Sequence, residues 1–239
     1  VSIVDVADVE TPSFDPRPSS RPDAVRIILV VVITVAALLA AGAIGWLARG
    51  GGGGSSSTSE SSVDAGFARD MSTHHTQAVI MAGYTRDTTT DPAVKNLAFD
   101  IESSQTSQIG EMTGWLDSWG LSRSSSEPLM AWMSASSMAG MDMSTTSSSA
   151  APGDTSLMPG MATPNQLDRL ERMTAKTLDV YFLQLMLRHH IAGVEMAQYA
   201  AAHAEHDYVR NLAQKMVDNQ NNEITVMKQM LAERGAQPL

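Results

Sequence analysis

The pattern Met71-x-x-His74-His75 recurs as Met186-x-x-His189-His190. On a helix, residues three and four apart are neighbours. Met71 therefore lies beside His74 and His75, and Met186 beside His189 and His190. A thioether and an imidazole from one turn can reach a single ion. Both are copper donors, and methionine sulfur favours Cu(I). Hard cations such as Mg²⁺ and Ca²⁺ take oxygen instead. Met81 and Met196 follow the first histidine of each pair by seven residues, about 10 Å along a helix axis. They are expected to line the same face without joining the same mononuclear site. The competing reading is a packed core with hydrogen-bonded histidines and filler methionines.

His203 and His206, with Glu205 between them, complete the six histidines of the chain. Their spacing suits an auxiliary copper or zinc site, or a solvated helix end. A third group of donors lies in the segment 121–162, rich in Ser, Thr, Gly and Met. It holds seven of the 16 methionines: Met130, Met133, Met138, Met141, Met143, Met158 and Met161. The runs "GMDM" and "MPGM" have the short spacing with which flexible chains wrap a soft ion. A disordered loop whose methionines stick to the domain surface is the alternative.

The elements that must position these donors are helical. A shift of 115 residues lays Phe67–Gly120 on Phe182–Gly235 without a gap, and 17 of 54 positions agree. Each copy reads as a helical hairpin. Its first helix carries the histidine pair, from about Asp64 to Arg86 in the first copy. Asp91-Pro92 offers an N-cap followed by proline at the first helical position. The second helix runs to Gly120, a C-cap residue. In the second copy Thr163-Pro164-Asn165-Gln166 has capping-box form. The third helix extends from there toward Ala202, with a break near Thr177. The fourth spans about Asp207 to Glu233. Strand signals are absent. Two such hairpins predict an all-α fold, an antiparallel four-helix bundle over residues 63–239.

Before this domain, Ile27 to Ala48 is 22 residues without a charge, long enough to cross a ~30 Å hydrocarbon core. Arg17, Arg21 and Arg26 precede it and only Arg49 follows closely. Positive charge on the inner side predicts a single-pass anchor in the bilayer, with residues 1–26 as a disordered cytoplasmic tail and the bundle outside. Secretion after signal cleavage is the alternative. The Gly/Ser stretch 49–62 reads as a flexible tether.

The formal net charge of −10 argues against a nucleic-acid partner, which needs a basic face. With no cysteine, disulfides, thiolate sites and cysteine nucleophiles are excluded. No Glu-x-x-His, His-Glu-x-x-His, phosphate-binding glycine loop or Gly-x-Ser-x-Gly elbow occurs.

The segments "FARDMSTHHTQAVIMA" and "MPGMATPNQLDRLERMTAKTLDVYFLQLMLRHHIAGVEMAQYA" resemble the domain-of-unknown-function 305 family. The resemblance covers about Val63 to Gly235. It implies a ferritin-like four-helix bundle, often exported in bacteria, with some members associated with copper. It carries over to Met71, His74, His75, Met81, Met186, His189, His190 and Met196, and to Met158 and Met161. The Ser- and Met-rich link is longer than expected for the family. Together these readings predict an extracytoplasmic copper-binding protein that sequesters or hands off the metal without catalysis. The alternatives are an accessory subunit docked on another envelope protein and a metal-dependent enzyme.

Overall fold

A computed structural model describes residues 58–138, 141 and 157–239. The expected cytoplasmic tail, membrane span, most of the tether and Met143 lie outside the described residues. Among the described residues no helix is long and apolar enough to cross a membrane.

The described chain is all helix, turn and loop. Its elements are α1 (Val63–Thr88), α2 (Pro92–Trp119), α3 (Ala135–Met138), α4 (Pro164–Glu171), α5 (Ala175–His203) and α6 (Asp207–Glu233). The four long helices form a bundle. α1 packs on α2, α5 on α6, and α1 on α5.

Local chemistry sets the ends. Ser62 caps α1 by accepting from the Ala65 N–H at 3.1 Å. Asp91 caps α2, accepting from Ala93 and Val94. Gly120 ends α2 at φ +71, a left-handed conformation open to glycine at little cost. Thr163 and Gln166 make the reciprocal capping box at the start of α4. The break expected near Thr177 falls earlier. α4 stops at Glu171 and α5 begins at Ala175, after Thr174 in extended conformation and with Ala175 itself at φ +51. Alanine carries no signal for a positive φ, so the sequence placed the break too late.

Two long-range contacts close the ends of the bundle. The buried Asp64 carboxylate of α1 accepts the N–H groups of Glu205 and His206 at 2.8 and 2.9 Å. It thereby ties the turn between α5 and α6 to the start of α1. At the opposite end Arg234 pairs with Asp91. The apolar centre holds Phe67 and Phe182, both fully buried, with Met71, Met81, Met186 and Met196 at 0% exposure. Burying each such side chain contributes about 1.5–3 kcal/mol. The histidine pairs share this buried interior, at 0 or 1% exposure.

Candidate metal centre

All four paired histidines are buried, at 0 or 1% exposure. Adjacent helical residues point about 100° apart, and the bundle uses that divergence. The first histidine of each pair faces the α1–α5 seam. There the rings of His74 and His189 stack with centroids 3.7 Å apart. The second faces its own hairpin. His75 Nε2 lies 2.7 Å from Gln108 Oε1 on α2. His190 Nε2 lies 2.6 Å from Glu223 Oε2 on α6. These two contacts occupy equivalent places in the two hairpins. The same antiparallel register sets Met71 opposite Met112 and Met186 opposite Met227. Met112 and Met227 are fully buried, and sequence reading did not single them out as candidate donors. The signal was present, since they are identical across the 115-residue shift.

The tautomers follow from these partners. His74 Nε2 is 3.3 Å from the Pro159 carbonyl, and His189 Nε2 is 3.0 Å from the His74 carbonyl. Every Nε2 thus faces an oxygen acceptor and carries the proton. The lone pair is left on Nδ1. In His74, His75 and His190 that Nδ1 is buried and has no hydrogen-bond partner. An unpaired buried acceptor costs about 1–3 kcal/mol, so three in one layer are a substantial unexplained cost. Metal-binding histidines show this arrangement, one nitrogen tied to an oxygen and the other free for the ion.

Burial holds His74, His75 and His189 neutral. It pushes His74 down to about 4, outweighing the raising effect of the Pro159 carbonyl. It pushes His75 down to about 3, helped by His74, and His189 well below the usual histidine range. Neutral imidazole is the form that binds metal.

The "MPGM" segment is ordered and covers the seam. Met158 and Met161 are buried at 1 and 7% exposure. The Met161 N–H donates to the Met158 carbonyl at 3.2 Å, closing a turn with proline second and Gly160 third at φ +76. That combination suits a type II turn. Gln77 clamps the next residue, accepting from Ala162 N–H at 2.6 Å and donating to its carbonyl at 2.9 Å. A Cβ on Gly160 would sit 2.6 Å from Ala192 Cβ and 2.8 Å from the Arg188 carbonyl. Gly160→Ala is therefore expected to destabilise the protein by about 2 kcal/mol or more. Urea unfolding measures this. Gly110→Ala, in helix α2 with nothing within 4 Å, is the control and should stabilise by about 0.5–1 kcal/mol.

His203 and His206 do not form a pair. His203 ends α5 and stacks on Tyr199 at 4.3 Å. His206 precedes α6, with Nδ1 2.8 Å from Asp64 Oδ1 and its ring 5.3 Å from Trp119. Different partners draw them apart. Met138 is half-buried at the end of α3, and Met141 is buried. Among the described residues no cluster of three or more His, Asp or Glu is placed to hold a metal ion.

The model of the domain of unknown function DUF305 matches residues 64–231. The chain belongs to the DUF305 family. It is 41% identical to a DUF305 protein from Streptomyces coelicolor, provisionally described as secreted. That likeness covers 76% of this chain and 99% of the other, with a TM-score of 0.66. A DUF305 fragment from Deinococcus radiodurans is 26% identical over 72% of this chain and 96% of its own, with a TM-score of 0.55. CopM in its Cu(II)-bound form is 25% identical over 72% of this chain and 97% of its own, with a TM-score of 0.51. The chain matches no curated protein.

Proposed function

We propose that this DUF305 protein binds copper, with Cu(I) preferred, in the buried layer of its bundle, and that it sequesters or hands on the metal outside the cytoplasm without catalysing a reaction. The observation that carries the reading is the set of unpaired Nδ1 lone pairs on His74, His75 and His190, in a core walled by methionine. His74, His75, His189 and His190 supply nitrogen. Met71 and Met186 supply sulfur from the same turns, with Met158 and Met161 above the seam and Met112 and Met227 across each hairpin. Soft thioether donors and the dry surroundings favour the monovalent ion. Copper in the similar fold of CopM supports the choice of metal.

The outward location rests on the apolar stretch 27–48 and on the secreted description of the Streptomyces relative. In this reading residues 27–48 anchor the chain in the bilayer with the N-terminus inside. Two imidazoles that share one ion at roughly 2 Å per bond hold their centroids about 4.5 Å or more apart. The stacked pair at 3.7 Å must therefore part by roughly 1 Å to take one ion between them. Loading is accordingly expected to shift the α1–α5 seam. The test is anaerobic titration of the full chain with Cu(I) against a bicinchoninate competitor. Withdrawal of at least one equivalent from the chelator is expected. Failure to compete would sink the reading.

A further inference from the structure

A second group of soft donors lies outside the buried layer. A cleft of about 310 Å³ opens where the linking segment crosses the last turns of α5. Met133 and Met141 line it from the link, and Tyr199 and His203 from α5. The methionines are buried, at 5 and 7% exposure, while His203 is exposed.

The site is held in place from several sides. Asp70 Oδ2 accepts the Met130 N–H at 2.7 Å and the Trp132 Nε1–H at 2.8 Å. Trp132 sits against Gly66, where a Cβ would meet its ring at 2.4 Å. Trp132 also packs on Tyr199, centroids 5.7 Å apart, and Tyr199 on His203 at 4.3 Å. The Met141 N–H donates to the Met138 carbonyl at 3.1 Å. Asp70 thus pins the link just before Met133, a local turn sets Met141, and the His203 ring packs against Tyr199.

We propose that Met133, Met141 and His203 form a separate surface site for a soft monovalent cation, Cu(I) or Ag(I), that exchanges with solvent and loads the buried layer. The loading role rests on the copper reading above; the site itself does not. Two thioethers and one imidazole match the low coordination numbers of such ions. Among the described residues one carboxylate, Glu195, lines the cleft, too few for a hard cation, which wants six or more oxygens. The site occurs once per chain, because Thr88 stands where the first hairpin would need a histidine. Met196, fully buried, lies on α5 midway between His203 and His189, seven residues from each. It provides a thioether step of about 10 Å in either direction.

The experiment titrates the full chain, carrying ¹³C-methyl methionine, with Ag(I). The Met133 and Met141 methyl resonances should shift within the first equivalents. Met133→Leu with Met141→Leu, a volume-conserving pair of changes, should remove one Ag(I) per chain and leave the rest bound. His203→Ala should weaken that one equivalent at least about tenfold, the loss of one good ligand. A chain with His74 and His189 changed to Phe should keep the surface equivalent. Unmoved Met133 and Met141 resonances in excess Ag(I), or unchanged stoichiometry in the double Leu variant, would overturn the proposal. Loss of surface binding in the Phe variant would also overturn it. Wild-type stoichiometry in the Phe variant instead sinks the buried-layer reading and leaves this site standing.

Discussion

Changing His74 and His189 together to phenylalanine is expected to weaken Cu(I) binding at least about a hundredfold. Loss of an outer partner of a metal ligand typically costs 10–100-fold, and this change removes two nitrogen donors outright. Phenylalanine keeps an aromatic ring at each position and retains the stack that now has its centroids 3.7 Å apart. The extra volume costs about 1–3 kcal/mol of overpacking. The variant also removes two buried polar rings, so the fold should survive. The Pro159 and His74 carbonyls lose a donor, a smaller penalty because carbonyls tolerate under-satisfaction better than N–H groups. Competition titration reads the affinity, and circular dichroism confirms that helix is retained. A folded variant that binds within about threefold of wild type would show that the central pair is packing and nothing more.

The candidate donors were legible in the sequence; how the bundle arranges them was not. Met71-x-x-His74-His75 and its second copy are local patterns, and helical spacing alone sets each methionine beside its histidines. Caps were legible for the same reason. Asp91-Pro92, Thr163 to Gln166 and Gly120 act on their own turns, and each ends a helix where expected. What escaped was every feature made by residues far apart in the chain. Spacing let both histidines of a pair serve one ion. The bundle instead turns His74 to His189 and His75 to Gln108, because one direction faces the seam and the other the hairpin partner. Asp64 stood only as the start of the first helix, yet its carboxylate holds the turn just before the helix that begins at Asp207. The link read as a loose Ser/Met chain. Its ends are seated by Asp70, Gln77 and Gly160, and no short window reveals that Gly160 lies against Ala192.

Acid should unfold this domain near pH 5, well above the range in which carboxylates alone would do so. His74 and His75 have folded values of about 4 and about 3, against 6.5 when exposed. Between those values the unfolded chain binds a proton that the folded one refuses, so stability rises with pH there and is complete above about 7. At pH 5 each of the two rings has cost about 2 kcal/mol relative to neutral pH. His189 is shifted the same way and adds to the loss. Asp70, raised by burial ahead of the lowering from Met130 and Trp132, works in the opposite sense, but it is one carboxyl against three imidazoles. The combined loss is comparable to the whole stability of a typical domain, about 5–15 kcal/mol. Helix content followed from pH 8 to 3 should fall in one cooperative step with a midpoint near 5. The His74→Phe, His189→Phe chain should unfold at lower pH, because two of the three titrating rings are gone. Saturating Cu(I) should lower the wild-type midpoint as well, since a ligand that binds only the folded state adds its binding free energy to stability. It should leave the double-Phe midpoint much less affected. A midpoint near pH 3 for the wild type, unmoved by the double change, would mean that His74, His75 and His189 are not held neutral by burial. The argument that the Nδ1 lone pairs of His74 and His75 are kept ready for a metal would then fall with it.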